Sequence, residues 1–340
     1  MSHDIKELSR AELEQWCLDN GYTTFRARQI LRWLYRHGTT SFADMSDVSV
    51  ALRERLAAAF SIGRLTCVRT SAAADGTRKY LFGLADGRRI ESVLIPAPGR
   101  QTLCISSQFG CAMGCQFCAT ARMRPVRDLT AGEIVGQVWE VQRVLSADQQ
   151  LTNVVFMGMG EPLANYDQVV KAIEVLTAEW GLNFSPRRVT VSTVGLVPQM
   201  QRLLDETRVN LTVSLSATTD ELRARLMPVN SRYPLGQLLD ACRSLPARSR
   251  RRLTFAYTML AGVNDGLTDA RRLVKLLHGI PAKVNLIPFN AFPGSDFTSS
   301  PRLHIDRFRQ LLLDKGVLAT IRESRGQDVL AACGQLATQG

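Results

Sequence analysis

The chain has 340 residues, 45% of them hydrophobic, which is enough for one large globular domain and a smaller one. No run of about 18 apolar residues occurs and the first residues lack the pattern of a signal peptide, so we expect no membrane span and a cytoplasmic location. With 42 Lys and Arg against 31 Asp and Glu, the net charge of +11 favours a polyanionic partner such as nucleic acid.

The first sixty residues have helical periodicity. Ser9 and Glu12 form a capping-box pattern at the start of a first helix, which should stop near Gly21. An amphipathic helix over 25–38 and a third helix over 50–60 follow. The second helix carries Arg26, Arg28, Arg32 and Arg36. A basic helix of this kind, with Trp and Tyr between the arginines, can bind an RNA backbone or can simply present a solvated face.

Residues 64–95 change to alternating polarity, which is typical of strands. Asp-Gly turns at 75–76 and 86–87 divide the segment into three, so it predicts a small antiparallel meander. Glu91 shares a face of the last strand with hydrophobic residues, where a carboxylate is often an edge residue exposed to water. The prolines and glycine of 96–99 predict a linker.

Three cysteines then stand close together with the spacing Cys-x3-Cys-x2-Cys, at Cys111, Cys115 and Cys118. One loop with this spacing can direct three thiolates at one metal centre. Three thiolates on a cubane iron–sulfur cluster leave its fourth iron open, which suits chemistry better than electron transfer. A structural zinc site is the alternative, although such sites usually combine Cys-x2-Cys pairs and fill all four positions.

Beyond the linker, strand and helix patterns alternate. Thr130 and Glu133 cap a helix that should run to about Leu145. Strands are predicted over 102–106, 153–157, 188–193, 210–214, 253–259 and 283–287, with 317–321 as a further candidate. Six parallel βα units predict either an open barrel or a doubly wound sheet, and composition alone leaves both open.

The sequence resembles one known family over most of its length. The motifs that carry the resemblance are the Cys111–Cys118 loop with Phe117 before its last cysteine, Thr102–Gln108, Met157–Pro162 and Ala331–Leu336. Together they resemble the radical S-adenosylmethionine (SAM) RNA adenine methyltransferases of the RlmN and Cfr type. The resemblance implies an α/β fold with a partial (β/α)6 barrel, a small helical N-terminal domain and a short antiparallel β segment.

The same resemblance implies the cofactors and their ligands. Cys111, Cys115 and Cys118 would hold a [4Fe-4S] cluster whose open iron binds SAM. The implied SAM contacts are Phe117, Gly160, Glu161, Ser192, Ser214, Leu215, Ser216 and Asn290. Ser216 departs from the family, which typically has histidine there. Residues 122–129 depart as well, and could change which RNA is accepted.

The family mechanism assigns three further residues. Cys333 would take a methyl group from one SAM, while a second SAM supplies the radical that activates this methyl group, so that two SAM are used per turnover. Cys104 would resolve the adduct by forming a transient disulfide with Cys333. Glu91, thirteen residues before Cys104, matches the proton acceptor. A thiolate suits the first role because it is the strongest nucleophile among side chains.

The resulting hypothesis is methylation of carbon 2 of an adenosine in 23S rRNA, with tRNA as a second substrate. Flavodoxin is the expected type of electron donor and a monomer the expected state. The alternatives are methylation of adenine carbon 8 and a non-catalytic RNA-binding protein that holds zinc. The predicted domains are a helical RNA-binding domain (1–62), the meander and linker (63–96), the barrel (97–323) and a tail with the methyl-accepting cysteine (324–340).

Overall fold

The computed structural model describes residues 3–146, 149–244 and 253–338. Its N-terminal unit contains the three predicted helices: α1 (Arg10–Asp19), α2 (Thr24–Arg32) and α3 (Val50–Ala59). Both hydrogen bonds of the capping box between Ser9 and Glu12 are present at the start of α1. A π-helical turn extends α2 over Trp33–His37. The short parallel strands β1 (His3–Asp4) and β2 (Phe60–Ser61) join the two ends of this unit.

The rest of the described chain is organised around one ten-stranded sheet. Its antiparallel part is the predicted meander, β3 (Thr66–Ala72), β4 (Arg78–Gly83) and β5 (Arg89–Ala97). The strands that follow are β6 (Arg100–Cys104), β9 (Asn153–Phe156), β10 (Val189–Thr193), β11 (Asn210–Ser214), β12 (Leu253–Met259), β13 (Ala282–Pro288) and β14 (Leu318–Ile321). The small strands β7 (Gln108–Phe109) and β8 (Arg127–Asp128) pair separately.

Strand order decides between the two predicted architectures. From β6 to β14 the parallel strands stand in the order in which the chain makes them, and this order never reverses. A doubly wound sheet requires a reversal, whereas a barrel is built by sequential addition with right-handed crossovers. Because β6 and β14 do not pair, the barrel is open. The predicted partial barrel is therefore confirmed.

Helices connect the parallel strands. They are α4 (Ala131–Val144), α5 (Tyr166–Thr177), α6 (Val197–Glu206), α7 (Asp220–Leu226), α8 (Leu235–Ser244), α9 (Leu267–Leu276) and α10 (Arg302–Asp314). Thr130 and Glu133 form the predicted capping box of α4. Among the described residues, no helix is long and apolar enough to cross a membrane.

The predicted linker at 96–99 is wrong. Strand β5 continues to Ala97, and Pro96 stands opposite Gln101 of β6, so this segment is a tight β-hairpin. A proline is tolerated in a strand wherever the ladder needs no N–H group from it. The meander and the barrel consequently form one continuous sheet.

The N-terminal unit packs against the outside of the barrel around Trp139 of α4. The Lys6 ammonium lies 4.7 Å and the Arg64 guanidinium 5.4 Å from the centre of the Trp139 ring. Arg64 also forms an ion pair with Glu140 of the same helix. Cation–π contacts and the ion pair thereby fix the helical unit to the first barrel helix.

Candidate active site

One pocket opens at the carboxyl ends of the parallel strands, where barrels place their chemistry. The predicted site residues that line it are Cys111, Cys115, Phe117, Cys118, Gly160, Glu161, Ser192, Ser214, Asn290 and Cys333. They come from the loop after β6, the ends of β9, β10, β11 and β13, and the tail. Residues more than 200 positions apart in sequence thus meet in one cavity.

Two of the predicted SAM contacts, Leu215 and Ser216, do not line this pocket. Both are buried behind the end of β11, where the Leu215 N–H donates to the carbonyl of Ala256. Ser216 adopts a positive φ of 50°, and its carbonyl accepts from the Asn264 amide. The chain therefore turns away from the pocket directly after Ser214, and the structure does not bring these two residues to the pocket surface.

The three loop cysteines line the pocket together. Burial, followed by the charges of neighbouring groups, raises the pKa of the Cys115 thiol well above its usual range, and burial raises the pKa of Cys111 to about 12. Burial also raises the pKa of Cys118. Without metal these groups are neutral thiols, and iron must displace their protons in order to bind.

Glu161 is a buried carboxylate held by backbone donors. One oxygen accepts from the Leu163 N–H at 3.0 Å and the other from the Val194 N–H at 2.9 Å. Burial raises the pKa of this carboxyl to about 7, against the opposing effect of these hydrogen bonds. A cation that enters the pocket would therefore find a fixed carboxylate that is ionised near neutral pH.

Gly160 allows the chain to pass close to the strand end of β6. It has φ of +99°, and a Cβ atom there would lie 2.6 Å from the Cβ of Gln108. Gln108 in turn accepts the Glu161 N–H through its side-chain oxygen at 2.8 Å. The absence of a side chain at Gly160 therefore lets the backbone approach Gln108, and this approach sets the position of Glu161.

The tail carries Cys333 into the pocket and is fastened on two sides. The Asn290 amide donates to the Cys333 carbonyl at 3.1 Å, and Thr120 donates to the Leu336 carbonyl at 2.6 Å. The Ala119 N–H, next to Cys118, donates to the Gly334 carbonyl at 2.7 Å. Cys333 is thus held between the end of β13 and the loop of the three cysteines.

Cys104 is buried at the end of β6, close enough to Cys333 for the two thiols to interact electrostatically. Burial first, and Cys333 second, raise the pKa of Cys104 to about 12, while Arg322 acts in the opposite direction. The charge of Cys333 raises the pKa of Arg322. All eight cysteines are free thiols, so the disulfide expected as a transient state is not present.

Glu91 lies on the same face of the sheet as Cys104, because Val93 stands directly opposite Cys104 and Glu91 is two residues before Val93. The carboxylate is buried and forms an ion pair with Lys79 at 3.0 Å. Lys79 also donates to the carbonyl of Leu330 in the tail at 3.2 Å. Sequence analysis expected an edge carboxylate exposed to water as the ordinary alternative, and this is wrong.

Comparison with known proteins relates nearly the whole chain to RNA methyltransferases. The family described as "Ribosomal RNA large subunit methyltransferase N-terminal domain" matches residues 3–62, and the Radical SAM superfamily matches residues 105–274. The dual-specificity RNA methyltransferase RlmN of Geobacter sulfurreducens is 55% identical over 333 residues, which covers 98% of this chain and 91% of that protein. The RlmN of Pelobacter propionicus is 53% identical, with coverage of 98% and 95%.

A solved structure agrees with the sequence relatives. The radical SAM methyltransferase from Sphaerobacter thermophilus superposes with a TM-score of 0.92 at 45% identity, covering 98% of this chain and 99% of that chain. The chain belongs to the RlmN family of radical SAM RNA methyltransferases. As an RlmN-family member it is an enzyme, so the alternative of a non-catalytic zinc-containing RNA-binding protein is wrong.

RlmN-family enzymes use a [4Fe-4S] cluster and two SAM per turnover. The donor set of the pocket fits the cluster, since three thiols line one cavity next to a buried carboxylate. Within the described part of the chain, no three metal-ligating side chains are arranged to hold a single ion.

Sequence reasoning missed Arg322 and Lys79. Arg322 directly follows β14 and lines the pocket, so the rule that strand ends supply site residues could have found it. Lys79 gives no such signal, because it lies within a strand of the meander and reaches the tail only through the pairing of β4 with β5.

Proposed function

We propose that this enzyme methylates carbon 2 of an adenosine in 23S rRNA, and also in tRNA, through an S-methylcysteine intermediate at Cys333. The observation that carries the proposal is that Cys333, far from the loop in sequence, lines the same pocket as Cys111, Cys115 and Cys118. A ring carbon of adenine cannot attack the methyl group of SAM, so a thiolate must take the methyl group first.

Different residues of the pocket bind the cluster and SAM. Cys111, Cys115 and Cys118 hold the cluster, and Glu161 binds the SAM ammonium through a charge-assisted hydrogen bond. The further proposed SAM contacts are Phe117, Gly160, Ser192, Ser214 and Asn290. When bound, the cluster and SAM supply the methyl group and the radical that activates it, which side chains alone cannot provide.

Cys333 accepts the methyl group: a bond forms between its Sγ and the methyl carbon as the bond from that carbon to the SAM sulfur breaks. Arg322 lowers the pKa of Cys104 against the effect of burial and so favours the anionic form of this thiol. Cys104 then bonds to the sulfur of Cys333 as the bond from that sulfur to the transferred carbon breaks. The carbon keeps the electron pair and takes up a proton to become the methyl group of the product, and a thiol reductant restores both cysteines. Glu91 takes the proton that the adenine carbon loses.

The helical unit 1–62 binds RNA in this proposal. Arg28, Arg32 and Arg36 are exposed and follow one another at intervals of four residues, so they form one basic stripe along α2 and its π-helical turn. The adenine must leave its stack to reach the pocket, which favours an unpaired RNA segment. We further propose a monomeric cytoplasmic enzyme that takes electrons from a flavodoxin-type donor.

A Cys104→Ala variant tests the roles of the two thiols. It still transfers methyl to Cys333 and starts the reaction, but release fails, so enzyme remains covalently attached to RNA. The readout is an RNA-linked band on a denaturing gel. The band should vanish when Cys333 is also changed to Ala.

Cys242→Ala is the matched control, since Cys242 is buried in α8 and does not line the pocket. This variant should turn over without a covalent adduct. Free turnover by the Cys104→Ala enzyme would refute the role of Cys104. Mass spectrometry of the RNA nucleosides made by the unaltered enzyme separates the carbon 2 product from the carbon 8 alternative.

A further inference from the structure

Arg223 is a fully buried cation near the middle of α7. Its four hydrogen bonds go to neutral oxygens: the side chain of Asn230 and the carbonyls of Tyr233, Val194 and Ser214, at 2.7 to 3.3 Å. Among the described residues, its Nε atom has no hydrogen-bond partner. Burying an ionised group is expensive unless an opposite charge lies near it, so this arrangement calls for a countercharge.

Three ionisable groups lie within electrostatic reach of Arg223: Cys115, whose effect on its pKa is the largest, then Asp220 and Cys242. Cys242 does not line the pocket, and burial raises its pKa to about 12, so it is a neutral thiol. The carboxylate of Asp220 is engaged elsewhere, because it accepts from the Asn230 amide and from the Leu235 N–H. Burial lowers the pKa of Arg223 to about 10, so the guanidinium remains charged at neutral pH.

The helix of Arg223 is attached to the cysteine loop. One turn after Arg223, the Leu226 carbonyl accepts from the N–H of Gln116, the residue after Cys115, at 3.0 Å. Arg223 also donates to the strand ends at Val194 and Ser214, which line the pocket. The guanidinium is therefore held against the strand ends that line the pocket, on a helix that is attached to the cysteine loop.

We infer that Arg223 is a positioning residue that compensates the negative charge of the cluster bound at Cys115 and so makes its one-electron reduction easier. Reduction adds one electron to a centre that already carries thiolate charge, without making or breaking a bond. A fixed positive charge in a poorly solvated site stabilises the reduced form more than the oxidised form. The inference goes beyond the proposed RNA chemistry and depends only on the cluster being bound by the loop cysteines.

The test is a redox titration of the reconstituted full-length enzyme under anaerobic conditions, followed by the electron paramagnetic resonance signal of the reduced cluster. Arg223→Gln should lower the midpoint potential, so that at a fixed solution potential the ratio of reduced to oxidised cluster falls by roughly tenfold or more. Arg223→Lys keeps the charge and should recover most of this ratio. Iron and sulfide contents are measured for every variant.

Asn230→Ala is the matched control, because it removes a hydrogen bond of Arg223 and keeps the charge. Its midpoint potential should equal that of the unaltered enzyme. An unchanged potential in Arg223→Gln, or an equal fall in Asn230→Ala, would overturn the inference and leave Arg223 as a support of the strand ends. If Arg223→Gln fails to retain the cluster, an unchanged potential in Arg223→Lys supports the inference and a strongly lowered one contradicts it.

Discussion

Glu161 is the residue whose chemistry depends most on what enters the pocket. Burial favours its protonated form, while the two backbone N–H groups favour the carboxylate, and the balance raises its pKa to about 7. A bound ammonium group adds a third influence, which again favours the carboxylate. The protonation of Glu161 and the binding of a cationic ligand are consequently linked.

We predict that the affinity of the cluster-loaded enzyme for SAM increases with pH below neutrality. Below a pKa of about 7, Glu161 must lose a proton before it can pair with the ammonium, and this cost falls as the pH rises. One group with that pKa gives about fivefold tighter binding at pH 7 than at pH 6. Equilibrium dialysis with labelled SAM measures the effect.

The control for this prediction is Glu161→Gln, which removes the titration and keeps an oxygen for one of the two backbone N–H groups. It should bind SAM more weakly, with the same affinity at both pH values. A pH-independent affinity in the unaltered enzyme would contradict the proposed pairing of Glu161 with the ammonium.

At the scale of elements, α2 and its π-helical turn are the clearest candidate for contact with RNA. Leu31 and Leu34 bury one face in the core of the helical unit, while Arg28, Arg32 and Arg36 remain exposed on another. An amphipathic helix of this kind is fixed by its apolar face, so its charges can contact phosphates without a change of fold.

We predict that reversing Arg28, Arg32 and Arg36 to Glu weakens RNA binding at low salt. If each arginine neutralises one phosphate, the slope of log affinity against log salt should become shallower by roughly 2 to 3. Filter binding at several salt concentrations measures this slope. Cleavage of SAM without RNA should be unaffected, because none of these residues lines the pocket.

The same three-charge reversal on α9, at Arg271, Arg272 and Lys275, is the control for overall charge. An equal loss of affinity in both variants would mean that only net charge matters. In that case the basic stripe of α2 would be an ordinary solvated face.

The elements themselves could be predicted because each one has a local cause. The capping boxes at Ser9 and Thr130 start α1 and α4, and the two Asp-Gly turns separate the strands of the meander. The hairpin at 96–99 could not be predicted, since Pro96 fits a strand only where its pairing with β6 needs no N–H group from it. Local signals fix an element, but which partner it pairs with depends on the rest of the fold.

Site residues, too, could be predicted where a local rule applies and could not where the rest of the fold decides their position. Strand ends gave Ser192, Ser214 and Asn290 correct positions at the pocket, because parallel strands end at one edge. The rule failed at Ser216, where a backbone turn directs the chain away from the pocket. The rule did not predict Arg223. This residue is buried through contacts with two strand ends, and no periodicity in the sequence indicates those contacts.

At the scale of the whole molecule, the tail lies across the sheet and joins the barrel to the meander. The Gly326 N–H donates to Asp75 at 3.0 Å, and the Ala74 N–H donates to Asp328 at 3.0 Å. Lys79 adds its bond to Leu330. Asn290 and Thr120 hold the other side of the tail, so Cys333 is positioned by distant parts of the chain at once.

We predict that Asp75→Asn loosens the tail. The amide can still accept the Thr77 N–H through its oxygen, whereas its NH2 group faces the Gly326 N–H and cannot accept it. Loss of this part-buried hydrogen bond costs about 0.5 to 1.5 kcal/mol, so opening of the tail should become roughly two- to tenfold more frequent. Hydrogen exchange of residues 326–334 measures this, and RNA methylation should fall while the iron content stays constant.

Asp86→Asn provides the comparison, because Asp86 occupies the equivalent place in the other Asp-Gly turn, where it accepts from Arg88. Exchange in the tail should be unchanged in this variant. Equal exchange in the tails of both variants would show that the meander does not hold the tail.

The tail contacts also determine the order in which the molecule can assemble. From β3 to β14, neighbouring strands in the sheet are neighbours in the chain, so the sheet can grow by short-range steps. The contacts of Gly326 with Asp75 and of Lys79 with Leu330 instead span 251 residues each. Closing so long a loop has an entropic cost that only the finished sheet can offset. We therefore expect Cys333 to reach the pocket late in folding, after the sheet has formed.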